Sequence, residues 1–101
     1  MAFKIIIKPI AYLDLEEAID WYESETKGLG NHFLFEFERC KNKIANNPQH
    51  YRIYHKDARR IILTKFPYKI FYRIREETVV VLGIHHGKRS KAFVNRRLKL
   101  P

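Results

Sequence analysis

Apolar residues change their spacing twice along this chain. Phe3 to Lys8 holds a short β-branched run, Ile5-Ile6-Ile7, that reads as a first strand stopped by Pro9. From Pro9 to about Lys27 the period becomes helical. Ala11, Leu15, Ala18 and Tyr22 are spaced 4, 3 and 4, and Asp14, Glu16, Glu17, Asp20 and Glu23 fill the polar positions. Lys27-Gly28-Leu29-Gly30 interrupts this helix, Gly28 being suited to a left-handed closing residue. A second stripe, Phe33, Phe37, Cys40 and Ile44, predicts a helix from roughly Asn31 to Asn46, ended by Asn47-Pro48. A link of about four residues makes the two helices an antiparallel hairpin.

After Pro48 the period falls to two. A strand is predicted from Ala58 to Lys65 and another from Tyr68 to Arg75. In the second, Tyr68, Ile70, Tyr72 and Ile74 face one way and Lys69, Phe71, Arg73 and Arg75 the other. Glu76-Glu77 is read as the turn, and Thr78 to His86 as a last strand, apolar on both faces and therefore central. Residues 88–101 form a basic tail with a short helical turn around 92–98. The order β-α-α-β-β-β defines one α+β domain over residues 1–101. Its helical hairpin covers one face of a small, mainly antiparallel sheet. The opposite face is expected to lie open to a ligand.

Length and composition agree with a single folded domain. The chain has 101 residues, of which 46% are apolar and 14% aromatic, too many for a disordered chain. One cysteine excludes a disulfide framework and a cysteine-based zinc site. No apolar run approaches the ~20 residues of a membrane span, and the opening isoleucines are too few for a signal-peptide core. The expectation is a cytoplasmic protein without membrane contact.

Charge adds direction. Residues 1–50 hold six basic and eight acidic side chains, and residues 51–101 hold fourteen and three. The net +9 therefore comes entirely from the second half, which predicts a polyanionic partner, nucleic acid or an acidic protein.

Phosphate loops, nucleophile elbows and His-Glu-x-x-His are absent from the sequence, and adjacent His85 and His86 point to opposite faces of a strand. No metal or cofactor is expected. Cys40 on its stripe reads as a small core residue. Of Trp21 and Tyr22, one ring is expected in the core and the other at the surface. The basic residues near the strand ends are the remaining candidates. Arginine forks match phosphate and histidine can pass a proton, a set able to cleave RNA without metal. Tyr68, Phe71 and Tyr72 are candidates for stacking on bases.

The motifs in order resemble the RelE/ParE superfamily of bacterial type II toxins, in particular its ParE-like plasmid-stabilisation branch. They are the run Asp14 to Tyr22, Gly28-Leu29-Gly30 with Phe33, and Asn47-Pro48 with Tyr51. Arg59-Arg60, Phe66-Pro67-Tyr68, Tyr72-Arg73 and His86-Gly87-Lys88-Arg89 follow. The resemblance spans about residues 8 to 89. It implies a growth-inhibiting toxin neutralised by a cognate antitoxin, which would contact Trp21, Tyr22 and Phe33. The target implied is DNA gyrase or ribosome-bound mRNA. Arg60, Arg73, His86 and Arg89 are the catalytic residues if the chain is an mRNA interferase, a metal-independent endoribonuclease. Arg59, Lys69, Phe71, Arg75, His85 and Lys88 are the expected target-binding residues. The sequence departs from the RelE-like pattern. Phe93 stands where an aromatic hydroxyl is wanted, and no lysine cluster precedes the second strand. Both features lean towards the ParE-like branch. The alternatives are a non-catalytic nucleic-acid-binding module and a decayed toxin that keeps only its fold and partner binding.

Overall fold

The computed structural model describes residues 2–99. Among the described residues are five strands, three α-helices and a 3-10 turn at Pro48–His50: β1 (Lys4–Ile7), α1 (Pro9–Glu25), α2 (Leu29–Asn46), β2 (Ile53–His55), β3 (Ala58–Ile62), β4 (Tyr68–Arg75), β5 (Thr78–His86) and α3 (Lys91–Leu98). The sheet order is β1-β5-β4-β3-β2, with β1 parallel to β5 and the other pairs antiparallel. This is the expected α+β arrangement. Among the described residues, no helix is long and apolar enough to cross a membrane.

Both helical stripes face the sheet. Ala11, Leu15 and Ala18 of α1 and Phe33, Phe37, Cys40 and Ile44 of α2 are buried against Ile70, Tyr72, Val79, Val81 and Ile84. Tyr72 is fully buried and its hydroxyl donates to the Pro48 carbonyl at 2.6 Å, which satisfies the one polar atom the ring brings inside. The turn between the helices depends on two glycines. Gly28 has φ +89°, a conformation L side chains rarely adopt, and it opens α2 rather than closing α1. Glu23 accepts from the N–H groups of Gly28 and Gly30 and so supplies the cap that α2 lacks at its own first residue. A Cβ on Gly30 would stand 2.9 Å from Glu23 Oε1 and from the Ile19 carbonyl oxygen.

Two expectations are corrected. A fifth strand, β2, pairs with β3, and its three residues are too few to show a period. The second face of the sheet is not open. The expected short turn in the tail is a two-turn helix, α3, whose Val94 and Leu98 bury Ala58, Phe71 and Leu82. Ser90 caps it, its hydroxyl accepting from Phe93 N–H at 3.1 Å.

One irregularity governs the site. Phe71 pairs with Gly83 and Tyr72 with Val81, so Leu82 is an extra residue on β5. The inward phase of β5 shifts at this bulge. Val79 and Val81 face the hairpin and so does Ile84, whereas Leu82 and His85 face α3.

Candidate functional site

β5 continues five residues past its pairing with β1, which ends at Val81. That leaves its free edge between α1 and α3, and a cleft of about 870 Å³ opens there. Asp14, Glu17, Asp20 and Trp21 form the α1 wall, Arg89, Phe93 and Arg97 the opposite wall, and Tyr68, Ile84, His85 and His86 the floor. Asp14 ties the edge together. One carboxylate oxygen accepts from Ile84 N–H at 3.1 Å, and both accept from the guanidinium of Arg97. The acidic helix thereby holds the last helix by a two-pronged ion pair across the sheet edge.

His85 lies beneath this pair. It is 3% exposed, packed between Phe71 and Phe93, with Nε2 3.6 Å from Asp14. Burial is the main cause that brings its pKa down to about 4, against the attraction of Asp14 and with the repulsion of Arg97 and Arg89. His85 is thus a neutral interior side chain. Gly83 makes room for it, since a Cβ there would stand 2.7 Å from Nε2.

His86 points the other way and is half-buried, its ring edge-on to Tyr68 at 5.2 Å. Its Nδ1 accepts from Lys88 N–H at 3.0 Å. Nε2 therefore carries the hydrogen in the neutral ring and donates rather than accepts. Burial raises the Tyr68 hydroxyl above its ordinary pKa, partly offset by Arg89, so it too stays protonated at neutral pH.

Across the ridge made by His86 and Arg89 is a smaller groove of about 300 Å³, also lined by Tyr54, Lys69, Phe71, Gly87, Lys91 and Val94. Arg89 stacks on Phe93, its guanidinium carbon 4.5 Å from the ring centre, and Arg60 sits over Tyr54 at 5.1 Å.

Of the four expected catalytic residues, His86 and Arg89 share the ridge, but Arg73 does not join them. His86 pairs across the sheet with Tyr68, and Arg73 stands five residues further along β4. At ~3.3 Å per residue that is about 16 Å of strand. Arg73 is also occupied, donating to Asp57 at 2.8 Å and lying 3.5 Å from the Leu98 carbonyl. Arg75 completes the pair of arginines on Asp57, and the two, Arg73 first, lower the Asp57 pKa. Arg59 donates to the Gln49 and Tyr51 carbonyls and braces the segment before β2.

Of the expected target-binding residues, Lys69 lines the groove and Lys88 is exposed. Phe71 and His85 are buried under α3 and cannot meet a target in this conformation. Tyr72 is likewise enclosed. Trp21 is 56% exposed and Tyr22 is half-buried at the cleft, stacked on Phe33, which is fully buried and closed to a partner. Sequence reasoning overlooked Asp14, Arg97, Tyr54 and Lys91. Lys91 was legible as part of the basic tail; the others depend on contacts between distant segments.

Comparison with known proteins follows this geometry. No match was found among curated protein sequences. Several solved structures share the fold. The RelBE2 toxin–antitoxin complex from Mycobacterium tuberculosis matches with a TM-score of 0.61 and 15% identity, over 85% of this chain and 99% of that one. A chromosomal ParDE toxin–antitoxin system from P. aeruginosa gives 0.62 and 14%, over 84% and 96%. A mutant of the E. coli toxin RelE in the free state gives 0.66 and 13%, over 95% and 98%. These identities establish a common fold alone. The sequence profile of the ParE toxin of the type II toxin-antitoxin system parDE matches residues 5–91, from the first strand through both helices to the start of α3, and the chain therefore belongs to the ParE toxin family.

Proposed function

We propose that this chain is the toxin of a type II toxin–antitoxin pair, held inactive by a cognate antitoxin, and that it arrests growth by binding DNA gyrase without cutting RNA. The family membership supports the toxin role. One observation supports binding over cleavage: the histidine and the arginines expected to cleave RNA do not all converge. Arg73 is about 16 Å of strand from His86. His86 has its only basic nitrogen engaged by Lys88 N–H, and Tyr68 is held protonated. Cleavage at a 2′-hydroxyl needs a group to take its proton within hydrogen-bond reach of the arginines. An antitoxin with an acidic segment suits the basic second half, where charge speeds capture, and the exposed Trp21 at the mouth of the cleft suits an apolar anchor.

The test is induced expression with and without the adjacent antitoxin gene, followed by plasmid topology and mapping of mRNA 5′ ends. Arrest with a supercoiling defect and intact transcripts is expected. Cuts phased to the ribosome would replace this reading with the nuclease. Absence of arrest would favour a nucleic-acid-binding module, or, if the antitoxin still binds tightly, a decayed toxin.

A further inference from the structure

The cleft beside α1 holds polar groups that its own residues do not use. Asp14 is committed to Arg97 and to Ile84 N–H. Glu17 and Asp20, further along the same wall, have no hydrogen bond or ion pair among the described residues. Their spacing of three puts both carboxylates on one side of α1. Trp21 follows them at the mouth, more than half exposed. Besides burial, the influences on the Tyr68 hydroxyl are Arg89, which lowers its pKa, and Glu17, which raises it. The α1 wall and the opposite wall therefore meet over this one ring. Deeper in, three polar atoms are buried without a partner: Nδ1 and Nε2 of His85, which is 3% exposed, and Nε of Arg97. The neutral imidazole offers one donor and one acceptor, and Arg97 Nε–H one further donor. Buried polar atoms in folded proteins nearly always find a partner.

We propose that this cleft receives an arginine residue of a partner protein, its guanidinium between Glu17, Asp20 and the Trp21 ring and its peptide groups over His85 and Arg97. A guanidinium only donates hydrogen bonds and carries the charge that the α1 wall lacks. Being planar, it stacks on an indole as well, which a lysine ammonium does not. A bare cation would answer the carboxylates and leave the buried donors unmet. A peptide carbonyl supplies their acceptor, and a peptide N–H answers the imidazole lone pair. Acidic ligands, which the net charge of the chain attracts elsewhere, are repelled by the two free carboxylates. The inference concerns the chemistry of the cleft and holds or fails independently of whether the target is gyrase.

Trp21 is the single tryptophan of the chain, so its fluorescence reports the cleft directly. The probe is a blocked alanine-arginine-alanine tripeptide, titrated at pH 7 in low salt. It is compared with the citrulline tripeptide (same shape, no charge), the lysine tripeptide, and butylguanidinium, which has the charge but no peptide group. The arginine tripeptide is expected to bind at least about tenfold more tightly than the citrulline one, and several-fold more tightly than the other two. Glu17→Gln with Asp20→Asn, both exposed, should erase the preference over citrulline. Glu16→Gln with Glu25→Gln, exposed on the same helix but outside the cleft, should keep it. His85→Phe should bring the arginine tripeptide down to the level of butylguanidinium and leave butylguanidinium unchanged. If that variant does not fold, the ratio of the two probes on the wild-type chain decides the same point. The proposal is overturned if no saturable change occurs, if citrulline binds equally, or if the Glu16 and Glu25 control loses as much. Equal binding of the lysine tripeptide overturns the choice of arginine. Equal binding of butylguanidinium, or no effect of His85→Phe, overturns the peptide contacts and assigns the buried atoms to ordered water.

Discussion

The two faces of the sheet are held by different forces. Under the α1–α2 hairpin, helices of 17 and 18 residues bury Phe33, Phe37, Ile44, Ile70, Tyr72, Val79 and Val81 almost completely. Each such side chain contributes on the order of 1.5–3 kcal/mol by leaving water. On the opposite face one helix of eight residues covers a cluster of five, Ala58, Phe71, Leu82, Val94 and Leu98. Charged contacts complete that layer: Arg97 on Asp14, and Arg73 reaching the Leu98 carbonyl from its pair with Asp57. Buried area secures the hairpin, whereas α3 relies on a few directional bonds at the sheet edge. Regions with few apolar contacts open locally at lower free energy than the global unfolding, and α3 is the part of this molecule that meets that description.

The largest effect should come from the hairpin side. Phe33→Ala removes a fully buried ring that touches Tyr22, Phe66 and Tyr68. A loss of about 4 kcal/mol in urea unfolding is expected, with α3 and the hairpin melting together. Next, Asp14→Ala leaves Arg97 unpaired and Ile84 N–H without its acceptor, at a cost of about 3 kcal/mol. Hydrogen exchange should show α3 amides losing protection first. If hairpin amides lose it equally, the two faces are not separable in the way described. Gly83→Ala, whose Cβ would press on the His85 ring, should cost about 2 kcal/mol. Asp14 variants should relieve that strain in a double-mutant cycle, because they loosen the same corner.

Near neutrality the smallest effect is that of pH. His85 has a folded pKa of about 4, below the ~6.5 of an unfolded histidine, so the unfolded chain binds the extra proton in between. Stability should therefore fall as pH drops from about 6.5 towards 4, and His85→Phe should flatten that part of the profile. Asp57 and Glu36 are lowered by Arg73 and Arg39 respectively, and Glu23 by the Gly28 and Gly30 N–H groups. Their contributions are present above the ordinary carboxylate range and are lost only as pH falls below it.

The helices and the two long strands were legible because their periods are clean. Ala11, Leu15 and Ala18, and Phe33, Phe37, Cys40 and Ile44, are all found inside, and the bounds Tyr68–Arg75, read from alternation, and Thr78–His86, read from an unbroken apolar run, match the strands. β2 escaped because three residues carry no pattern, and α3 was legible only as a short turn because its buried pair, Val94 and Leu98, is diluted by three basic residues. The site was legible as a composition of cations rather than as a geometry. Arg73 and Arg59 look free in sequence, but a carboxylate 16 positions away and two backbone carbonyls claim them. Asp14 was read with the solvated acids of its helix, and only the fold brings it to residues 70 and 83 positions later. The resemblance identified the family because family motifs record such long-range constraints without displaying them.

The extra residue at Leu82 has an evolutionary reach beyond its local bend. With it, one imidazole of the adjacent pair is sealed inside and its neighbour meets solvent; a strand that kept every residue but lost the bulge would slip by one and exchange their addresses, whereas deleting Leu82 would leave both where they are. Which histidine can touch the outside world is thus decided by counting, not by chemistry, and a lineage could trade one surface for another without altering either side chain.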